Sequence, residues 1–436
     1  MSQKKCPLVA TRLQNARVLG GDSPYDNPNI TNMKNFSDTL SDMSPTSPTQ
    51  HFTSKDGVFN EASWDEKLVN KSYEWVEKLV VFKPPKVYCQ VAVRDGLLEA
   101  RVLPYNGFTY DHLYGTKIGG TIFYRKGHRH TTTNLLENAI GQLEHGSASR
   151  PQAYGVVFKD ALGVFHKAYL MKNSKSLNEI ILSAGAIGSP QLLMLSGIGP
   201  SDYLQAHGMK VVLDQPLVGQ GMVDSPRNML MIPSPIPVEV SLTQAVGITR
   251  FVPPNAMVET IETINAIAKK TFKGGVIVEK LQNINLKDNP AITFNYIKEP
   301  QDLRGCVLGM STIMNVEDTY PFSKFRYSNM TMQALIDMMV SLQWNKRPQH
   351  PSAAFSLEQF CIDTILTMWH FHGCCQVGKV VDHDYKVFGV DALRVIDGST
   401  FLQSPGTNPQ ATVMMLGRYM GEKILHEGIH MGGSRR

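Results

Sequence analysis

The chain has 436 residues, 42% of them hydrophobic and 19% charged, which is enough apolar material for a large core in two or three domains. The formal net charge is only +5 and no dense basic run occurs, which excludes nucleic-acid binding through a phosphate-tracking patch. Six cysteines without C-x-x-C spacing are too few for a disulfide scaffold and do not indicate a zinc site.

Hydrophobic spacing predicts helices and strands along the whole chain. Apolar positions at helical spacing predict helices over residues 61–80, 86–103, 189–195, 333–343, 356–368 and 409–425. Two apolar runs around residues 160–163 predict a β-hairpin, and short strands are predicted over 179–182 and 291–296. The first ten residues hold only a five-residue apolar stretch, so no signal peptide is predicted in them. The most apolar segment, 180–199, is interrupted by glycine, serine and proline, so no membrane span is predicted.

The first candidate site is a glycine-rich turn that begins at Gly185. A buried strand enters this turn, and the helix over 189–195 follows it. The free N–H groups of a helix N-terminus bind anions, and small residues let a ligand approach the backbone. Tight packing of strand against helix explains the same residues equally well, so both interpretations stay open.

The second candidate site is the segment from Trp369 to Cys375, which contains two histidines. If the segment is a strand, His370, His372 and Cys374 share one face, which suggests a metal site. No further ligand cluster lies at the usual spacing, so we predict no metal. A structural histidine and a general base are the other interpretations, since imidazole suits proton transfer near neutral pH.

The third candidate site combines an acid–glycine turn with the start of the last predicted helix. Asp397 and Gly398 end a predicted strand, whereas Asn408 and Pro409 suit the N-cap and first position of the helix. Capping alone explains Asn408. A helix N-terminus also provides positive potential that stabilises electron density on a reduced flavin.

The order of residues over 185–199, with segments 103–108, 119–123 and 379–384, resembles the glucose–methanol–choline (GMC) oxidoreductases. Within that family the resemblance is to the plant branch of HOTHEAD-like proteins and mandelonitrile lyases. It implies an α/β fold with an incomplete Rossmann-like FAD-binding domain and a second substrate domain of mixed antiparallel sheet and helices. The implied divisions are an FAD-binding region over 1–233, a substrate-binding domain over 234–368 and a catalytic and FAD-contacting segment over 369–436.

The same resemblance implies roles for individual residues. His370 matches the family's active-site base, and Asn408, 38 residues later, matches the second active-site residue. The positions that match flavin contacts are Trp369, Asp397, Gly398, Pro409 and Gln410. Cys361 lies where secreted members carry a half-cystine, and Cys306 is its implied disulfide partner.

The function implied is that of an FAD-dependent oxidoreductase, a monomer that acts on the CH–OH group of a small-molecule alcohol with His370 as base. A hydroxynitrile lyase on the same scaffold and a non-catalytic remnant are the alternatives. The G-x-G-x-x-G turn that holds the FAD pyrophosphate is not found, and Cys374 replaces a glycine of the family's pattern. These departures predict weak retention of FAD.

Overall fold

The computed structural model describes residues 64–110, 113–121, 151–159, 162, 164–170, 178–224, 226–238, 245–249, 278–280, 291–293, 296–297, 300–342, 345, 348–367, 369–402 and 409–433. In these ranges no helix is both long enough and apolar enough to cross a lipid bilayer. The predictions that concern segments 1–63 and 122–150, including those of the pyrophosphate-binding turn, lie outside the described residues.

Helices and short strands alternate along the described chain. The α-helices are α1 (Glu66–Val80), α2 (Tyr88–Glu99), α3 (Gly185–Leu195), α4 (Ser201–Ala206), α5 (Pro300–Glu317), α6 (Tyr320–Ser323), α7 (Met332–Ser341), α8 (Leu357–Thr364) and α9 (Gln410–Gly433). The 3₁₀ helices are Pro351–Ala354 and Gly398–Thr400. The strands are β1 (Tyr105–Phe108), β2 (Gly115–Ile118), β3 (Gly155–Lys159), β4 (Phe165–Tyr169), β5 (Ile180–Leu182), β6 (Ile198–Gly199), β7 (Leu213–Asp214), β8 (Gln220–Val223), β9 (Pro226–Arg227), β10 (Ala245–Ile248), β11 (Val278–Lys280), β12 (Ala291–Thr293), β13 (Leu366–Thr367), β14 (His372–Cys374) and β15 (Leu393–Val395).

The described strands form small sheets of mixed direction. β2 lies between β1, which is parallel to it, and β10, which is antiparallel. β5 pairs in parallel with β15, and β6 with β7. The antiparallel pairs are β3–β4, β8–β14, β9–β13 and β11–β12. Parallel strands joined through helices, together with antiparallel pairs, confirm the predicted α/β class.

Several predicted elements are confirmed with shifted ends. α1 begins at Glu66 because the side chain of Asp65 accepts hydrogen bonds from the amides of Lys67 and Leu68, which caps the helix. The predicted hairpin is β3–β4, in which Gly155 pairs with Tyr169. α2, α7 and α9 confirm the helices predicted over 86–103, 333–343 and 409–425, although α9 extends to Gly433.

Other predicted boundaries are wrong, because tertiary pairing overrides local pattern. The helix predicted over 356–368 ends at Thr364, since Leu366 and Thr367 pair with β9 instead. The strand predicted over 291–296 is described over Ala291–Thr293 and does not include Tyr296, which lies in a turn. The helix predicted from residue 189 already begins at Gly185. The whole of α5 was not predicted.

Two apolar clusters hold these elements together. The larger one joins α1, α3, β15 and α9, and its fully buried members include Leu193, Val395, Phe401, Met415 and Leu416. The smaller one joins α5, α7 and α8 through Met310, Met339, Phe360 and Cys361, among others. Burying such side chains contributes roughly 1.5–3 kcal/mol each, so both clusters stabilise the elements that they join.

A buried arginine fixes β15 against the last helix. Arg394 is 3% exposed and its guanidinium contacts Glu179 at 2.7 Å, Glu427 at 2.5 Å and the carbonyl oxygen of Asp384 at 2.9 Å. An arginine with several matched acceptors satisfies most of its five donors. β15, the strand that leads to Asp397, is therefore bound through Arg394 both to Glu179, directly before β5, and to Glu427 on α9.

The predicted Cys306–Cys361 disulfide is confirmed, with an S–S distance of 1.98 Å. It joins α5 to α8. Asn228 lies beside it and donates to the carbonyl oxygen of Cys361 at 3.0 Å and to the hydroxyl of Thr364 at 2.9 Å. The disulfide thus fixes the end of the helix that precedes β13 and the candidate catalytic segment.

Candidate functional site

The segment with the two histidines is irregular between two short strand pairs. β13 ends at Thr367 and β14 begins at His372, so the interpretation that places His370, His372 and Cys374 on one strand is wrong. Trp369 has φ +58°, a left-handed conformation that is rare for a bulky residue. Residues held in this way cluster at functional sites, where the surrounding structure imposes them.

The backbone of this segment is held by one buried carboxylate. Asp224 is 2% exposed, and its Oδ1 accepts the backbone N–H of His370 at 2.9 Å. Its Oδ2 accepts the hydroxyls of Tyr296 at 2.5 Å and Thr367 at 2.6 Å. Thr367 in turn accepts the backbone N–H of Trp369 at 2.8 Å. We call these five residues the Asp224 network.

The imidazole of His370 is a neutral base at physiological pH. His370 is 8% exposed, and its pKa is lowered from 6.5 to about 4 by burial first, then by His372 and by the positive charge of Arg227. Burial disfavours the charged form of histidine, and a neighbouring cation does the same. The guanidinium carbon of Arg227 lies 5.3 Å from the centroid of the Trp369 ring.

His372, the first residue of β14, is buried more deeply than His370 and supports the segment from that strand. Its Nδ1 lies 3.0 Å from the carbonyl oxygen of His370, and burial lowers its pKa. If Nδ1 donates to that carbonyl, Nε2 carries the lone pair of a neutral ring. Proximity to His370 through the backbone makes His372 a structural partner of the proposed base.

The anion at the start of α3 is a carboxylate of the chain itself. Oδ2 of Asp397 accepts the N–H of Gly185 at 3.0 Å and the hydroxyl of Ser189 at 2.5 Å, while Oδ1 accepts the N–H of Ser399 at 2.7 Å. Gly185 has φ +82°, which glycine adopts without strain. The first candidate site is therefore a junction of α3 and the 3₁₀ helix Gly398–Thr400, and its helix N-terminus has an anion already.

The remaining predicted residues lie around this junction. A methyl group in place of the Gly398 hydrogen would lie 3.8 Å from both the carbonyl oxygen of Phe371 and Cγ2 of Val413 on α9. The acid–glycine turn therefore lies against both the histidine segment and the start of the last helix. Pro409 and Gln410 are half-buried at the start of α9. Asn408 lies outside the described residues.

The junction leaves two buried polar atoms whose partners are not found in the described part of the chain, Nε2 of His372 and Oγ of Ser399. Both side chains are at most 1% exposed. Buried polar groups in proteins are nearly always hydrogen bonded. Neither atom is exposed, so a flavin would reach neither of them without a local rearrangement. The glycine-rich turn does leave space, because a Cβ built at Gly185 would have no heavy atom within 4 Å. This space beside the start of α3 fits the FAD that the resemblance implies.

In the described ranges no group of three His, Cys, Asp or Glu side chains is arranged to hold a metal ion.

Four residues of the site were not predicted from the sequence, namely Asp224, Tyr296, Thr367 and Arg227. The hydrogen bonds to Asp224 join residues 72 to 146 positions apart in sequence. The spacing of residues along the chain does not indicate contacts over such distances. The one available signal was Asp224 itself, a charged residue next to an apolar stretch.

Comparison with known proteins places the whole chain among similar enzymes. Two family profiles described as GMC oxidoreductase match residues 132–227 and 280–417. Protein HOTHEAD of Arabidopsis thaliana is 41% identical, and the alignment covers 97% of this chain and 86% of that protein. A protein of the same plant described as (R)-mandelonitrile lyase-like is 39% identical, with 97% and 88% covered.

A sinalpyl alcohol oxidase of Nesocodon mauritianus is 34% identical, with 97% of this chain and 87% of that protein covered. Among solved structures, a formate oxidase of Aspergillus oryzae RIB40 aligns with a TM-score of 0.67 at 17% identity, covering 91% of this chain and 84% of the oxidase. The alignment with HOTHEAD has 514 positions, whereas 97% of 436 residues is about 423. Roughly 90 positions of that relative, the difference between these two values, thus have no counterpart here.

Proposed function

Because the chain belongs to the GMC oxidoreductase family and is an FAD-dependent oxidoreductase, we propose that it oxidises the CH–OH group of a small-molecule alcohol. In this proposal an imidazole nitrogen of His370 takes the hydroxyl proton as the alcohol carbon becomes a carbonyl carbon. FAD, when bound, supplies the hydride acceptor. The observation that carries the proposal is the position of His370, whose backbone N–H is held by the buried carboxylate of Asp224 directly after the left-handed Trp369. The lowered pKa of about 4 keeps the imidazole unprotonated at neutral pH.

The other predicted residues have positioning roles in this proposal. Asn408 donates a hydrogen bond to the substrate oxygen and holds it in line for proton and hydride transfer. Trp369, Gly398, Pro409 and Gln410 contact the flavin. Both oxygens of the Asp397 carboxylate accept from protein donors, so its contribution is to fix the turn against α3.

The substrate class is an arylmethyl or allylic alcohol. A relative at 34% identity is described as an alcohol oxidase acting on sinalpyl alcohol, and an aromatic side chain, Trp369, stands directly before the proposed base. Aromatic rings favour offset stacking or edge contacts with other rings. Sinapyl alcohol and benzyl alcohol are therefore the probes to use.

The test is anaerobic mixing of the FAD-loaded protein with each alcohol, followed by flavin absorbance. This readout does not depend on which electron acceptor the enzyme uses. Loss of a general base typically costs about 10²–10⁴ in rate, so His370→Ala is expected to slow flavin bleaching by this factor. With the base unprotonated above a pKa of about 4, the wild-type rate is expected to persist down to that pH.

Two matched variants complete the experiment. His372→Ala tests the neighbouring histidine. His207→Ala tests the removal of a histidine that is not part of the Asp224 network, since the ring of His207, which follows α4, contacts the carbonyl oxygen of Tyr203. Bleaching at wild-type rate in His370→Ala together with loss in His372→Ala would show that the base is assigned to the wrong residue. No bleaching by any alcohol of a broad panel would refute alcohol oxidation.

Cyanohydrin cleavage is the alternative on the same scaffold. Such cleavage is helped by two titratable groups, and the amide of Asn408 carries no ionisable proton. Negligible release of cyanide from mandelonitrile is therefore expected. Efficient release by the wild-type protein would favour the lyase.

A further inference from the structure

Asp224 occupies a gap between two strand pairs. β8 (Gln220–Val223) pairs with β14, and β9 (Pro226–Arg227) pairs with β13, both antiparallel. Asp224 directly follows β8, and His370 lies between β13 and β14, so both residues lie outside the paired positions. The side chain of Asp224 takes the place of the missing ladder acceptor by binding the N–H of His370 at 2.9 Å.

Two successive backbone N–H groups depend on this arrangement. The N–H of Trp369 binds the Thr367 hydroxyl at 2.8 Å, and that hydroxyl donates to Asp224 at 2.6 Å. Buried backbone donors require partners, and in the described part of the chain these two N–H groups bind side chains and not a neighbouring strand. The left-handed conformation of Trp369, with φ +58°, is thereby fixed together with the backbone that presents His370.

The third donor links a different part of the chain. Tyr296, 8% exposed, donates its hydroxyl to Oδ2 of Asp224 at 2.5 Å. A carboxylate strengthens hydrogen bonds from neutral donors, and networks of this kind rigidify their members. Asp224 therefore connects β8, β13 and the turn at Tyr296 to the backbone of His370.

We propose that Asp224 is a positioning residue that fixes the His370 imidazole for proton transfer through the Asp224 network. This inference rests on the proposed function of His370 as the base. A displacement of the reacting groups by about 1 Å costs about 10²-fold in rate. A loosened network therefore reduces the rate of the chemical step and leaves alcohol affinity nearly unchanged.

The test compares Asp224→Asn in two backgrounds, wild type and His370→Ala, as FAD-loaded proteins. Asparagine keeps the shape and one acceptor oxygen, but its NH₂ group does not accept from Tyr296 or Thr367. In the wild-type background the limiting rate of anaerobic bleaching by benzyl alcohol is expected to fall about 10- to 100-fold. The concentration of half-saturation is expected to change less than about threefold. In the His370→Ala background the limiting rate is expected to change less than about twofold, because a residue that acts through another is non-additive with it.

Asp214→Asn is the matched control, since the exposed Asp214 at the end of β7 accepts the backbone N–H of Ser201 at the start of α4. This variant is expected to leave the rate unchanged. An equal loss in both backgrounds would show that Asp224 acts on the fold or on the cofactor, and would overturn the inference. An unchanged rate for Asp224→Asn would overturn it too. A wild-type rate in His370→Ala alone would instead refute the proposed function.

Tyr296→Phe and Thr367→Val provide the same test if Asp224→Asn does not fold. Each removes one hydroxyl donor to Oδ2 and leaves the Asp224–His370 hydrogen bond in place, and Thr367→Val also removes the acceptor of the Trp369 N–H. Each is expected to slow bleaching about two- to tenfold in the wild-type background and not in the His370→Ala background. Equal effects in both backgrounds would again overturn the inference.

Discussion

Asp224 and Asp397 are both buried aspartates that accept hydrogen bonds from three described residues each, but they hold different kinds of backbone. Two of the three donors to Asp397 are backbone amides, and they belong to the start of α3 and to the 3₁₀ helix Gly398–Thr400. Two of the three donors to Asp224 are hydroxyls, and the chain that they hold is irregular. The same carboxylate chemistry thus closes a regular scaffold at one site and fixes a strained segment at the other.

Because of this difference, we expect the loss of Asp397 to reduce mainly the stability of the fold, and the loss of Asp224 to reduce mainly the rate of the proposed reaction. Removing Asp397 leaves helix-terminal amides buried without an acceptor, and these amides are fixed by the helix. Removing Asp224 leaves one buried amide, that of His370, whereas its other two donors are hydroxyls that rotate toward other acceptors. The macrodipole of α3 adds to the preference for a carboxylate at its N-terminus.

The largest expected effect is on the free energy of unfolding of Asp397→Ala. Loss of charge-assisted hydrogen bonds at three donors predicts a decrease of about 4 kcal/mol, larger than that for Asp224→Ala. Urea denaturation of the two FAD-loaded variants, followed by tryptophan fluorescence, measures both values. Equal losses, or a larger loss for Asp224→Ala, would remove the distinction between the two sites.

The second expected effect is a pH dependence of the free energy of unfolding, and it arises from His370 in the Asp224 network. The pKa of His370 is about 4 in the folded protein against 6.5 as its ordinary value, so the unfolded chain binds the proton more strongly. The contribution of His370 to stability is therefore complete above pH 6.5 and is lost as the pH falls from 6.5 to 4. The loss amounts to about 3 kcal/mol.

His370→Gln removes this titration and is expected to flatten the stability profile between pH 6.5 and 4 by about 3 kcal/mol. His207→Gln serves as the control and is expected to keep the wild-type profile. The measurement is the free energy of unfolding in urea at a series of pH values. A profile for His370→Gln that falls as steeply as the wild-type profile would contradict the assignment of a depressed pKa to His370.

The two aspartates also show how far the sequence leads. The turn at Asp397 was predicted, because an acid followed by glycine after a strand is a local pattern. Its bonds to Gly185 and Ser189 were not, since those residues lie 212 and 208 positions away. Asp224 was missed altogether, because all three of its donors come from distant parts of the chain.

Periodicity and capping predict elements that local chemistry decides. α1, the β3–β4 hairpin and α9 fall in this class, with Asp65 setting the start of α1. The predicted helix over 356–368 failed at its end because pairing of Thr367 with β9 competes with helix formation. The family resemblance added what spacing alone does not contain, namely the Cys306–Cys361 pairing and the role proposed for His370.

The smallest expected effect concerns Cys374, the last residue of β14, where the sequence departs from the family's glycine. Cys374 is fully buried and has φ +85°. A left-handed conformation costs a residue with a Cβ roughly 1–2 kcal/mol, whereas glycine adopts it freely. Part of this advantage of glycine is offset, because glycine increases the conformational entropy of the unfolded chain.

Cys374→Gly is therefore expected to be more stable than Cys374→Ala by about 1 kcal/mol, although both lose the contact of the sulfur with Met222. Val395, the last residue of β15 on the Asp397 side, is the matched control, because it is equally buried and lies in a regular parallel strand. There the order is expected to reverse, with Val395→Ala more stable than Val395→Gly by about 0.5–1 kcal/mol. Thermal unfolding of the four FAD-loaded variants gives both differences. Alanine more stable than glycine at both positions would mean that Cys374 carries no backbone strain, and that the irregularity on the Asp224 side ends before β14.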